Sequence, residues 1–241
     1  MIITMNLFKK ILPFISILIL IIYLTFFSNK RNLNRNIESL NISFYNERSN
    51  FLNENNIIEK FNLNDLIKKK NKKNKICLDS IESLIMKNDY VNDVTLYYTF
   101  DSKLNIEINE KIPLLEVQSN QKYYLDESGK SFPILKNNPF ELPVVKGEIN
   151  KDNFLDIIKF YQTISKSDFL KNELIEIFYN PNDYKIRLKS YDFIVEWGQN
   201  KSFNRKLKKL LVFCNYLNND KKQSVYRNVN LKFKNQVVTT S

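Results

Sequence analysis

One uninterrupted apolar run, Ile11 to Phe27, constrains this chain more than any other feature, and nothing like it recurs in the roughly 210 residues that follow. No charge falls between Ile11 and Asn29, a stretch of 19 residues. At about 1.5 Å per helical residue it reaches about 28 Å, close to the hydrocarbon thickness of a bilayer. Residues 11–29 are therefore expected to form a transmembrane helix, with 1–10 a short tail and 30–36 a polar stalk. A cleaved signal peptide is the rival reading, because the run lies behind Lys9 and Lys10 near the start. Against it stand the length of the core and Ser28-Asn29-Lys30-Arg31, where a small-x-small cleavage site would belong. A buried core helix fits less well than either. Pro13 is expected near the first helical turn, where proline is tolerated. Basic residues flank the run on both sides, Lys9 and Lys10 against Lys30, Arg31 and Arg35, so charge alone leaves the orientation open.

The formal net charge of +11 admits a reading as a membrane-tethered protein that binds anionic lipid or nucleic acid. A blander source is visible. Lysine, asparagine, isoleucine, phenylalanine and tyrosine are used heavily, alanine is absent and glycine is scarce, as A/T-rich codons would dictate. The densest cluster, Lys68 to Lys75, lacks interleaved aromatics for base stacking and is expected to be a solvated loop between two helices. Lys201, Arg205, Lys206, Lys208 and Lys209 are expected on the wet face of one helix. Cys77 and Cys214 stand in no metal-ligand spacing. A disulfide is possible in an oxidising compartment, but two buried thiols are the expected state. With no histidine in the chain, the usual zinc ligand and the usual proton shuttle are both missing, and neither metal nor cofactor is expected. Asp126 with Glu127, and Glu173 with Glu176, are the nearest carboxylate pairs. Neither has a supporting constellation, and no glycine-rich phosphate loop occurs, so no catalytic residue is assigned.

Residues 37–113 read as strand, helix, helix, strand, strand. Ile37 to Tyr45 places Leu40, Ile42 and Phe44 on one face. Asn53 can cap a helix with Leu52 and Ile57 as its hydrophobic staple, and Ile57, Ile58 and Phe61 supply the buried stripe. Asp79 and Glu82 resemble a capping box ahead of Ile81, Leu84 and Ile85. A hairpin follows, with Val94, Leu96, Tyr98 and Phe100 in one arm, Leu104, Ile106 and Ile108 in the other, and Asp101-Ser102 at the turn.

Residues 114–241 are richer in strands. Tyr123 to Phe132 reads as strand, turn at Gly129, strand, and Leu142 to Gly147 as a short edge segment because of its proline. Phe154, Ile157, Ile158, Tyr161 and Ile164 recur at helical spacing. Strands are expected at Leu174–Tyr179, Tyr184–Leu188 and Phe193–Trp197. Phe203, Leu207, Leu210, Leu211, Cys214 and Leu217 form an amphipathic helix behind Ser202 as a candidate cap. The segment Val229 to Thr240 reads as one long strand with Val229, Leu231, Phe233 and Val237 on one face. About a dozen residues is twice the usual strand length, so part of it can project as an unpaired edge. Such an edge can recruit a partner strand, although its lysines also protect against that.

These segments, in this order behind one anchor, resemble the FtsQ/DivIB family of bitopic bacterial cell-division proteins, in particular its Bacteroidota-like members. Phe51 to Ile57, Asp79 to Leu84 and Asp89 to Val94 are similar to the opening, second helix and following strand of the family's POTRA domain. Leu104 to Pro113 resembles its hairpin strand and acidic-basic-x-Pro junction. Tyr123-Tyr-Leu-Asp-Glu-Ser-Gly129 and Leu142-Pro-Val-Val-Lys-Gly147 resemble motifs of its β domain, and Val229 to Val238 its terminal strand. The resemblance implies an α+β chain: one N-terminal transmembrane helix, a β-α-α-β-β POTRA-type domain over 37–113, then a mostly antiparallel β domain with flanking helices over 114–241. It implies a non-enzymatic scaffold in the cell inner membrane, with residues 1–10 cytoplasmic and the large domain periplasmic. Its partners would be FtsB- and FtsL-like division proteins, with a link to the septal peptidoglycan synthase complex and no nucleic acid. The docking strand would comprise Asn230, Leu231, Lys232, Phe233, Lys234, Asn235, Gln236, Val237 and Val238. In that strand Phe233 would anchor, Lys232 and Lys234 would meet acidic residues, and the backbone would supply most hydrogen bonds. Alternatively, Leu231 and Phe233 fill the core.

Overall fold

A computed structural model describes residues 2–45, 51–65, 71–119, 121–135, 140–181, 183–220 and 226–240. Helix α1 (Ile2–Leu33) contains the apolar run, and within it Pro13–Leu33 is long and apolar enough to cross a membrane. Two expectations change here. The helix starts early enough that Pro13 lies inside it, where the ring removes one helical hydrogen bond rather than falling in a first turn. At the other end the helix runs through Lys30 to Leu33, so the first half of the expected stalk is helical. Lys30 and Arg31 lie in its last turn, where cations favour the negative end of the helix dipole. The amide and side-chain nitrogens of Asn34 both donate to the Lys30 carbonyl, at 3.3 and 3.0 Å.

The chain forms two compact units, Met1–Glu110 and Lys111–Ser241. The first follows α1 with β1 (Ser39–Phe44), α2 (Glu54–Lys60), α3 (Leu78–Ile85), β2 (Val91–Tyr98) and β3 (Lys103–Glu110). The sheet order is β1-β3-β2, with β1 parallel and β2 antiparallel to β3. Parallel pairing needs a long crossover, which the two helices supply. Leu104, Ile106 and Ile108 on the central strand are fully buried, and Ile42, Val94, Ile57 and Ile85 close over them. Asn53 caps α2 as expected, accepting from the Asn56 amide at 2.8 Å.

Four local expectations fail in this unit. Asp79 does not cap α3: the helix starts at Leu78, so the carboxylate sits inside the first turn beside the dipole's positive end. Leu84 is exposed, and Leu78 takes its place beside the expected Ile81 and Ile85 on the core face. Phe100 is 93% exposed, because β2 ends at Tyr98 and the chain turns away from the core, with Ser102 at φ 65°. The basic cluster is not wholly solvated. Residues 66–70 lie outside the described residues, but Lys73 is buried, donating to Asn32 Oδ1 at 3.0 Å and lying 5.2 Å over the Tyr98 ring. Burial, then the nearby Arg35 charge, lower its pKa. The cysteines differ from each other too. Cys77 is exposed at the start of α3, whereas Cys214 is buried, and burial pushes its thiol up to about 11.

The second unit holds β4 (Leu115–Gln118), β5 (Lys122–Leu125), β6 (Ser131–Pro133), β7 (Val144–Gly147), α4 (Phe154–Ile164), α5 (Asp168–Glu173), β8 (Leu174–Asn180), β9 (Asp183–Leu188), β10 (Ile194–Gly198), α6 (Phe203–Asp220), β11 (Asn228–Asn230) and β12 (Val238–Thr240). Its nine strands form one mixed sheet in the order β12-β11-β10-β9-β8-β7-β4-β5-β6. Most neighbouring pairs are antiparallel. The expected edge segment β7 is central, parallel to both β4 and β8. Pro143 precedes the strand rather than interrupting it, and its carbonyl accepts from the Glu116 amide at 3.1 Å. Gly147 ends that strand at φ 122°, and a Cβ there would lie 2.0 Å from the Tyr179 carbonyl oxygen. Phe160 stacks on Tyr184 at 3.7 Å beneath the buried Trp197, and Leu210, Cys214 and Leu217 seat α6 on the same core.

The C-terminal segment is not one long strand. It leaves the sheet after Asn230 and returns as β12, antiparallel to β11 with Val238 opposite Asn230. Local turn chemistry explains the break. Asn230 Oδ1 accepts from the Lys232 amide two residues on, at 2.9 Å. Leu231 is fully buried and donates its amide to the Glu196 carbonyl at 3.0 Å, which pins the chain as it exits.

Candidate docking edge and groove

Strand β12 terminates the nine-stranded sheet, with no further strand beyond it among the described residues. The Leu231 amide bonds to β10, so the alternate residues Asn228 and Asn230 face β12, opposite Thr240 and Val238. Thr239 between them turns its own N–H and C=O outwards. An outward-facing edge group of this kind can pair with an added strand.

Beside that edge runs an apolar groove of about 640 Å³ between α6 and the loop joining β11 to β12. Val212, Phe213 and Tyr216 line its helical side, with Val237 opposite them. Val212 and Tyr216 are 62% and 46% exposed. Phe213 forms the base through edge contacts with Phe193 and Tyr226 at 5.7 and 5.5 Å. Arg205, Lys208 and Lys234 give the rim a positive charge.

Two lysines hold the loop that forms the far wall. Lys209 Nζ donates to the carbonyls of Leu231, Phe233 and Gln236, at 2.8, 2.6 and 3.2 Å. Burial, then Arg205, lower its pKa. Lys232 reaches back to Asp183 at 3.0 Å and lies 3.8 Å from Glu196, whose other interactions include Asn230 Nδ2 at 2.6 Å. Its stem crosses Gly198, where φ is 76° and a Cβ would meet Lys232 Cγ at 2.9 Å.

The nine residues expected from sequence as the docking strand therefore divide. Asn230 and Leu231 are tied into the sheet, and Lys232 is paired within the chain. Phe233, Lys234, Asn235 and Gln236 are exposed on the loop, Val237 lines the groove and Val238 opens β12. Phe233 is 48% exposed, so of the two residues in doubt only Leu231 fills the core. The expected wet face of α6 contains two lysines that do not float. Lys209 clamps the loop, while Lys206 is buried over Trp197 at 5.7 Å and donates to the Gln199 carbonyl at 2.7 Å. Sequence reasoning missed Val212 and Tyr216. Their spacing of four residues, off the buried stripe, was the available signal for a second apolar face.

Three of the four carboxylates considered for catalysis have structural partners, and the fourth, Glu127, is exposed. Asp126 is buried in its turn and accepts from the Ser128 and Lys130 amides, both at 2.9 Å. Glu173 accepts from the amide and hydroxyl of Ser190, and Glu176 pairs with Lys146 and with Arg187.

Among the described residues the chain is α+β, with one membrane-length helix, a terminal strand that has no further strand beyond it and an apolar groove beside that strand. Residues 112–240 match the family model described as FtsQ/DivIB, C-terminal related. That match covers more than half of the chain, and the chain belongs to this family, whose members are non-enzymatic scaffolds of cell division. No curated protein matches the sequence.

Proposed function

We propose that this chain is a membrane-anchored division scaffold that captures an FtsB-like partner by strand addition at β12. The partner's flanking helix would lie in the α6 groove, an FtsL-like protein would come with it, and the assembly would help regulate septal peptidoglycan synthesis. In this reading α1 crosses the inner membrane, residues 1–10 are cytoplasmic, and 37–113 is a POTRA-type domain in the periplasm followed by the β domain over 114–241. The chain performs no catalysis.

The observation that carries the reading is the coincidence of an open β12 edge with a basic-rimmed apolar groove immediately beside it. Backbone pairing supplies affinity, while the groove and its charge select an amphipathic, acidic partner. Several lysines that raise the net charge are paired within the chain, among them Lys73, Lys146, Lys206, Lys209 and Lys232, which weakens a polyanion-binding alternative.

The test is capture of an FtsB-like coiled-coil protein by the full chain and three variants. Val237→Pro, Phe233→Glu and Tyr216→Glu alter the edge approach, the exposed loop ring and the groove in turn. Each is expected to lower capture at least about tenfold without loss of fold, the scale of one deleted interchain hydrogen bond or apolar anchor. Undiminished capture by all three would refute the proposed edge and groove.

A further inference from the structure

The end of α1 is fastened to the folded unit rather than leaving it on a free tether. The Lys73 amide donates to the Arg35 carbonyl at 3.0 Å, and the Ile37 amide to the Asn71 carbonyl at 3.1 Å. Lys73 Nζ reaches Asn32 Oδ1, and Asn74 Nδ2 reaches Asn34 Oδ1 at 3.1 Å. Arg35 also donates to the Phe100 carbonyl at 3.5 Å, which brings the tip of the β2–β3 hairpin to the same place.

That tip carries Phe100, the most exposed large apolar side chain among the described residues. Around the helix exit, Lys30, Arg31, Arg35, Lys72 and Lys75 are exposed. The acids nearby are Glu38 and Asp101, and Asp101 is neutralised by Lys103 at 2.8 Å. A bare aromatic ring among basic side chains is poorly placed in water and well placed at a membrane interface, where rings settle among headgroups and cations meet phosphates. The 21 residues of Pro13–Leu33 span about 31 Å, so a crossing α1 puts Lys30 to Arg35 at headgroup depth.

We propose that Phe100, with Lys30, Arg31, Arg35, Lys72 and Lys75, forms a lipid-seating surface that holds the hairpin tip in an anionic leaflet. The occupant follows from charge complementarity and from continuity with the membrane-length helix. The inference rests on the reading that α1 crosses the bilayer, and it gives the first unit a fixed stance on the membrane independent of partner capture.

The experiment uses the full chain carrying Phe100→Trp, reconstituted in phosphatidylcholine vesicles with or without phosphatidylglycerol, using lipids brominated high on the acyl chain. Trp197 is buried in the other unit and supplies a constant background, measured on the unsubstituted chain. The introduced indole is expected to be quenched in the anionic vesicles, and to be less quenched in neutral ones. Adding Arg35→Gln, Lys72→Gln or Lys75→Gln should lower the seated population about fivefold per charge removed. Alkaline extraction of the same vesicles reports whether α1 crosses. A chain retained through extraction whose introduced indole shows no quenching above background overturns the lipid seat alone. Quenching indifferent to both phosphatidylglycerol and the charge substitutions overturns it as well. A chain released by alkali overturns the seat and the membrane-crossing reading together.

Discussion

The large sheet ends in two three-residue strands, β6 and β12, and they treat their open sides in opposite ways. On the β6 side, the Leu125 carbonyl is taken by Leu114, so Tyr124 faces β6 and pairs with Phe132. Pro133 therefore stands where an N–H would point outwards, and proline has none to offer. On the β12 side the outward residue is Thr239, a β-branched residue with its donor intact. Short length protects both edges, but only β6 carries the second safeguard. The difference singles out one edge: the terminal strand without proline is also the one beside the groove.

Giving β12 the device of β6 should have the largest effect. Thr239→Pro removes the outward donor and is expected to cut capture of an FtsB-like partner by roughly tenfold to a hundredfold, the range for an unmade hydrogen bond in a buried interface. Ser131→Glu on the opposite edge should leave capture unchanged. Equal losses from both substitutions in a binding titration would erase the asymmetry.

The next effect concerns how the β12 edge is held. Lys209→Met leaves the Leu231, Phe233 and Gln236 carbonyls without their shared cation. Hydrogen bonds to charged groups contribute about 1.5–3 kcal/mol, so amide exchange over residues 231–237 should quicken about ten- to a hundredfold, with Lys209→Arg restoring part of the protection. Unchanged exchange would mean the loop holds itself.

Much of the fold was legible in the sequence because burial imposes periodicity. The alternation of Leu104, Ile106 and Ile108 and the spacing of Leu210, Cys214 and Leu217 survive intact in the two cores. The order of elements along the first unit and three of the large unit's central strands follow from the same logic, and the α2 cap was legible from the side-chain chemistry of Asn53. Strand β4 and helix α5 were missed, each too short for its period to stand out. What failed most was the end of the chain. Val229 to Thr240 alternates like a strand, yet its path is set by contacts with distant residues: the Glu196 carbonyl, the Lys209 ammonium and Asp183. No pattern within twelve residues encodes a clamp supplied from another element. For the same reason the candidate site was only partly legible: its loop residues and Val238 were named, whereas Thr239 fell just beyond the expected docking strand, Val212 and Tyr216 were not named, and the basic residues of α6 were read as a solvated face.

Lys206 sharpens the comparison from the inside of that wall. Burial, then the charges of Arg205 and Lys209, push its pKa down to about 8 from the ordinary 10.5, against an opposing pull from Asp183. The unfolded chain keeps this proton up to about 10.5, so between the two values the unfolded state binds more protons, and stability gains from this group as pH rises. Below about 8 the cost of burying the charge is present in full. The stability difference between the natural chain and Lys206→Met is expected to move in favour of the natural chain from pH 8 to 10.5, followed by denaturation at matched ionic strength. A flat difference across that window would show the ammonium to be better hydrated than its burial implies.

The smallest effect comes from unblocking the protected edge. Pro133→Thr gives β6 an outward N–H at a position that is already exposed and extended. Losing proline loosens the unfolded chain, which costs about 0.4–1 kcal/mol where the native backbone suits proline, and the folded sheet should otherwise be unaltered. The new donor makes β6 resemble β12 in hydrogen bonding but not in surroundings, since the α6 groove lies at the other end of the sheet. The variant is therefore expected to show slight self-association in sedimentation at high concentration and no added capture of an FtsB-like partner. Strong partner capture through β6 would mean that an open edge alone is sufficient, and that the groove beside β12 contributes little to recognition.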